Sequence, residues 1–145
     1  MPMERPRASQ LGHTCIRVKD IDRTVQFYNG LLGMPVVERR DPDPPGNRMA
    51  ALGSQENYLE VFQNKPDAQM ADVEPQALRL NHFCLWVEGM EDLEKRAAAA
   101  GSPFLNPIGS SRNWVGAAIK VGWVLDPDGN RVELLEWTGP AQVTQ

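Results

Sequence analysis

Two stretches of this chain carry the same phrase. Residues 11–18 read LGHTCIRV and residues 80–87 read LNHFCLWV. Leucine, histidine, cysteine and valine recur in register, offset by 69 residues (82 − 13 and 84 − 15). The chain has only two histidines, and both lie in these phrases. Downstream of each lies a strand-like phrase with an interior carboxylate, NYLEVF around Glu60 and NRVELLEW around Glu133. A repeat carrying one His and one Glu per copy predicts two stacked copies of one unit around one shared metal site.

The periodicities give each copy the order β-α-β-β-β. In residues 13–18, Ile16 and Val18 share one strand face, whereas His13, Cys15 and Arg17 share the other, because strand side chains alternate. Asp20 or Asp22 can cap a helix whose apolar positions Val25, Tyr28, Leu31 and Leu32 recur at helical spacing, with Gly33 as a stop. Residues 34–40 read as a second strand. RDPDPPGN is a Pro-rich turn that neither a helix nor a central strand accommodates. Residues 48–52 and 57–63 read as the third and fourth strands.

The second copy opens with a strand at 82–87. The helix MEDLEKRAAAAG is rich in good helix formers and closed by Gly101. Residues 103–105 can start another strand, and NPIGSSRN reads as a loop. Residues 117–125 and 130–137 form a hairpin across DPDG. The expected class is α+β, as paired βαβββ modules. A single domain covers 11–140: module one at 11–63, a linker at 64–79 and module two at 80–138. A flexible arm occupies 1–10 and a tail 139–145.

Each candidate carboxylate sits within an apolar strand. Glu60 shares its face with Tyr58 and Phe62, opposite Leu59 and Val61. Glu133 shares its face with Arg131 and Leu135, opposite Val132 and Leu134. A carboxylate so placed is costly to desolvate, and a bound cation removes that cost. His13, Glu60, His82 and Glu133 are therefore the candidate metal ligands. Two imidazoles and two carboxylates suit Ni, Co, Zn, Mn or Fe(II) with open coordination positions, the arrangement of a Lewis-acid site that a substrate can chelate.

The 145 residues fit one compact domain. A net charge of −4 with interspersed signs offers no basic nucleic-acid footprint. No apolar run is long enough to span a bilayer. MPMERPRASQ has no apolar segment after its charges and does not read as a secretory signal, so a cytoplasmic location is expected. Cys15 and Cys84 are then expected to be reduced and to pack as small buried residues.

The phrases GHTCIRVKDIDRTVQFYNGLLGMPVVE, YLEVFQ, LNHFCLWVEG and VLDPDGNRVELLEW resemble the vicinal oxygen chelate superfamily, which includes glyoxalase I, bleomycin resistance proteins and extradiol dioxygenases. Within it, the sequence is most similar to glyoxalase I (lactoylglutathione lyase). That resemblance implies paired βαβββ modules whose curved mixed sheets enclose a metal, held by His13, Glu60, His82 and Glu133. It implies a lyase or isomerase that chelates vicinal oxygens and moves a proton through an enediolate, with Glu133 as the catalytic base. It implies Ni or Co as the favoured ion, a small-molecule substrate such as a glutathione conjugate, Arg17 as a contact to it, and a homodimer with sites between subunits.

The stretch VFQNKPDAQMADVEPQALRL lacks the Asn-Trp pair that glyoxalase I carries after its second ligand. Trp86, Trp114, Trp123 and Phe62 are candidates to line a more apolar pocket, with Trp114, in the loop SSRNWVG, the foremost substrate contact. The alternatives are an extradiol-type dioxygenase, an acyl-CoA epimerase, or a drug-sequestering protein, of which the last lacks the metal ligands.

Overall fold

A computed structural model describes residues 11–41, 47–63, 69, 71, 74, 76–112 and 116–139. The order is β1 (His13–Arg17), α1 (Ile21–Val25) running into a π-helical turn (Gln26–Leu31), β2 (Val36–Arg40), β3 (Arg48–Gly53), β4 (Tyr58–Gln63), β5 (Phe83–Trp86), α2 (Met90–Ala99), β6 (Gly109–Arg112), β7 (Ala118–Leu125) and β8 (Arg131–Trp137). The strands form two four-stranded sheets, β1-β4-β3-β2 and β5-β8-β7-β6. In each, the first strand pairs in parallel with the last and the remaining pairs are antiparallel. The βαβββ repeat is therefore realised twice, as mixed sheets that remain open and do not close into a barrel.

Local chemistry explains the helices. The Asp20 carboxylate caps α1 by accepting from Asp22 N at 3.0 Å and Arg23 N at 3.2 Å. The helix then widens: Leu32 N donates to Phe27 O at 3.0 Å, five residues back. Helical spacing selected Tyr28 and passed over Phe27, yet the wider turn lets both enter the core. Gly33 ends the segment with φ +79°, as its lack of a Cβ allows. At α2, the Glu136 carboxylate of β8 accepts from Gly89 N at 2.7 Å and Met90 N at 3.1 Å.

The sheets share one core. Ile16, Ala50, Leu52, Leu59 and Val61 of the first join Val124, Val132 and Leu134 of the second, with Phe27, Tyr28, Met90 and Leu93 from the helical segments. Asp126, in the DPDG turn, is buried across this junction. Its Oδ1 accepts from Asp128 N and Asn130 N, and its Oδ2 from Asn130 Nδ2 and, at 2.8 Å, from the Tyr28 hydroxyl of the other module. Burial and the Asp126 charge push the Tyr28 hydroxyl far up, so it stays a neutral donor. Because both sheets turn one face to this core, each keeps its other face open.

Three expectations need correction. Residues 103–105 are not a strand, although Leu105 N donates to Trp123 O at 2.8 Å. The second strand of module two is instead β6, within the stretch expected to be a loop. Its residues Gly-Ser-Ser-Arg are all exposed, so an edge strand held by backbone bonds alone leaves no apolar alternation to read. Cys15 and Cys84 are free thiols as expected, but both are exposed, because strand alternation places them on the open faces beside the candidate ligands.

Among the described residues, no helix is long and apolar enough to cross a membrane. The arm 1–10, most of the linker 64–79, residues 140–145 and Trp114 lie outside them.

Candidate metal centre

On sheet one, the parallel register sets Cys15 against Glu60 and His13 against Tyr58. All four side chains therefore share the open face with Arg17 and Phe62, opposite the buried Ile16, Leu59 and Val61. The His13 ring stacks on Tyr58 with centroids 5.0 Å apart and planes at 16°. Glu60 borders a groove of about 500 Å³ shared with Val37, Arg40, Met49 and Tyr58. The Cys15 thiol is held protonated, first by partial burial and then by the charge and hydrogen bond of Glu60, while Arg17 pulls the other way.

On sheet two, the equivalent register pairs Cys84 with Glu133 and Trp86 with Leu135. His82 stands just before β5, and its Nε2 lies 3.4 Å from Glu133 Oε2. Its Nδ1 meets Asn81 Oδ1 at 2.7 Å. Its ring meets Trp123 edge-on, with centroids 4.8 Å apart, and the Arg131 guanidinium covers Trp123 at 4.8 Å. His82, Asn81, Leu125 and Arg131 border a cavity of about 290 Å³. Partial burial and the nearby Glu133 charge push the Cys84 thiol up to about 11. Both shifts favour the neutral thiol.

Farther along the same open face, Trp86 and Trp137 stack with centroids 4.3 Å apart and planes at 7°, and both remain exposed. Trp86 stands at the repeat position of Arg17. One module thus offers a cation and the other an aromatic plate at the same distance from its histidine.

The four candidate ligands fall into two pairs, one per sheet. The structure brings His82 and Glu133 together, and places His13 and Glu60 on one face of sheet one. Among the described residues, no three His, Cys, Asp or Glu side chains converge to hold an ion. The His82–Glu133 pair itself fits a cation. Two ligand atoms about 2.1 Å from one ion at a tetrahedral angle stand roughly 3.4 Å apart, the separation found here. Asn81 and Tyr58, the neighbours that hold the two imidazoles, were not singled out from sequence. The signal for Asn81 was its place beside His82 in the repeated phrase, where the first copy has Gly12.

Residues 10–134 match the profile of the Glyoxalase/Bleomycin resistance protein/Dioxygenase superfamily. The chain is 26% identical over 127 residues to a putative lactoylglutathione lyase of Brassica oleracea var. gemmifera, covering 86% of this chain and 43% of that protein. It is 24% identical over 127 residues to the lactoylglutathione lyase of Haemophilus influenzae, covering 88% of this chain and 92% of that one. A solved glyoxalase family protein from Enterococcus faecalis superposes with a TM-score of 0.66 at 24% identity, covering 88% and 97% of the two chains. The chain thus spans about half the length of the plant relative and nearly all of the bacterial one.

Proposed function

We propose, since the chain belongs to the glyoxalase/bleomycin resistance protein/dioxygenase superfamily, that it is a metal-dependent lyase or isomerase of the glyoxalase I type. The observation that carries this reading is the His82–Glu133 pair, 3.4 Å apart on an open sheet face. His13 and Glu60 repeat its chemistry on the corresponding face of module one. Two copies of the chain, with module one of each set against module two of the other, would complete two sites of two imidazoles and two carboxylates. Ni or Co is the favoured ion, and Zn, Mn and Fe(II) also suit such a set.

A divalent ion, once bound there, would polarise vicinal oxygens of a substrate and make the adjacent C–H acidic. The chain's own residues do the rest. His13, Glu60, His82 and Glu133 would hold the ion. Glu133 would also remove the proton from one carbon and return it to the next. Arg17, exposed on the face of His13, is suited to bind a carboxylate of a glutathione-type substrate. Trp114, outside the described residues, is a further candidate substrate contact on its sequence alone.

The test is turnover of the methylglyoxal–glutathione hemithioacetal by protein loaded with Ni, Co, Zn, Mn or Fe(II), beside elemental analysis. The expectation is about one ion per chain, loss of the ion in His82→Ala, and a fall in kcat of at least about 100-fold in Glu133→Gln. Turnover that survives Glu133→Gln unchanged would overturn the assignment.

The Trp86–Trp137 plate favours a second reading, in which another metalloenzyme of this fold takes a substrate with an apolar or aromatic part. Activity on catechols under oxygen, or on acyl-CoA epimers, with none on the hemithioacetal, would select it.

A further inference from the structure

The two histidines occupy the same place in the repeat but are held differently. His13 follows Gly12, which has no side chain to offer, and its ring lies on Tyr58. His82 follows Asn81, whose Oδ1 stands 2.7 Å from Nδ1. An amide oxygen can only accept, so the proton of the neutral ring sits on Nδ1 and the lone pair on Nε2. Nε2 in turn lies 3.4 Å from Glu133 Oε2. The edge contact with Trp123, itself covered by Arg131, fixes the plane of the ring. Two acceptors facing each other in this way repel unless a cation lies between them. Without Asn81 the arrangement would reverse: Glu133 would become the nearest acceptor, and the ring proton would move to Nε2, closing the position to a metal.

We infer that Asn81 is a positioning residue that keeps His82 in its Nδ1–H tautomer and so presents Nε2 to the ion. This rests on the metal-site reading above, because the tautomer matters to function only if His82 is a ligand. It also makes the two half-sites unequal. His82 and Glu133 form the prepared half, on which an ion is expected to settle first, and His13 closes on it afterwards. Partners that hold the second nitrogen of a ligating histidine typically contribute about 10- to 100-fold in metal affinity.

The experiment uses the full-length, metal-free protein labelled with 15N-histidine, at a pH where both rings are neutral. With only two histidines, a His13→Ala variant assigns the spectrum. His82 is expected to show the pattern of an Nδ1–H ring. Asn81→Ala should convert it to the Nε2–H pattern and leave His13 unmoved, and Asn81→Asp, which keeps an acceptor in place, should retain the wild-type pattern. In Co(II) titrations followed by absorbance, Asn81→Ala should bind about 10- to 100-fold more weakly, and Asn81→Asp at least as tightly as wild type. An Nε2–H pattern in the wild type, or an unchanged tautomer in Asn81→Ala, overturns the inference. So does a switched tautomer with unchanged Co(II) affinity. A switched tautomer in a protein that binds no Co(II) at all refutes instead the metal-dependent function on which the inference stands.

Discussion

Asp22 shows how a single exposed side chain can be tuned by its neighbours. It sits in the first turn of α1 and accepts hydrogen bonds from Arg48 at 3.1 Å and from Arg39. Those bonds, that of Arg48 foremost, hold its carboxyl down to about 2, below the ordinary 3.8. A carboxyl whose folded value is depressed stabilises the fold above its unfolded value, near pH 4, and loses that contribution as pH falls through about 2. Its side chain is 62% exposed, so solvent screening leaves a contribution below about 1 kcal/mol. Asp22→Asn should therefore be slightly less stable than wild type at neutral pH and low salt. In urea titrations the gap should close near pH 2, and also in 1 M salt. The sequence exposed none of this, because Asp22, Arg39, Asp41 and Arg48 meet only through the folding of α1 against β2 and β3. Glu60 and Glu133 were legible, because each is flanked on both sides by apolar residues within its strand.

At the scale of elements, β8 sorts its two carboxylates by alternation. Glu133 faces the open side, and Glu136, three residues on, faces α2 and caps it through the Gly89 and Met90 amides. Lys120 Nζ lies 3.9 Å from the same carboxylate. The helix has no capping side chain of its own, since position 89 is a glycine with φ +72°. Glu136→Gln should lower stability by about 0.5–2 kcal/mol, measured as a shift of the urea midpoint at constant slope, and leave metal content unchanged. Local patterns predicted β1 to β4, α2 and the β7–β8 hairpin because each carries a period or a turn signal of its own. They failed at β6, whose four exposed residues are a strand only because β7 lies beside them. They failed also at the π-helical turn, where tertiary packing of Phe27 and Tyr28 overrides helical spacing.

For the whole molecule, the decisive fact is that the two sheets share one core and keep separate open faces. A site of all four ligands then calls for a second copy, and mixing variants tests this. One chain carries His13→Ala with Glu60→Gln, and the other His82→Ala with Glu133→Gln; each alone is expected to be inactive. If sites form between copies, refolding the two together makes half of the dimers mixed, each with one intact site of two, and restores about a quarter of wild-type activity. A site built within one chain would restore none. The Tyr28–Asp126 hydrogen bond at 2.8 Å ties the modules, so each chain enters such an assembly as one body. The sequence by itself determined the duplication, the βαβββ order and the identity of the ligand candidates, because repetition and strand alternation are local properties of a chain. Only the tertiary structure decided which candidate ligands stand together, that Asn81 holds His82, and that Trp86 and Trp137 form a plate. Each of these depends on which strands become neighbours and in what register, and that is settled by burying apolar faces across distant parts of the chain.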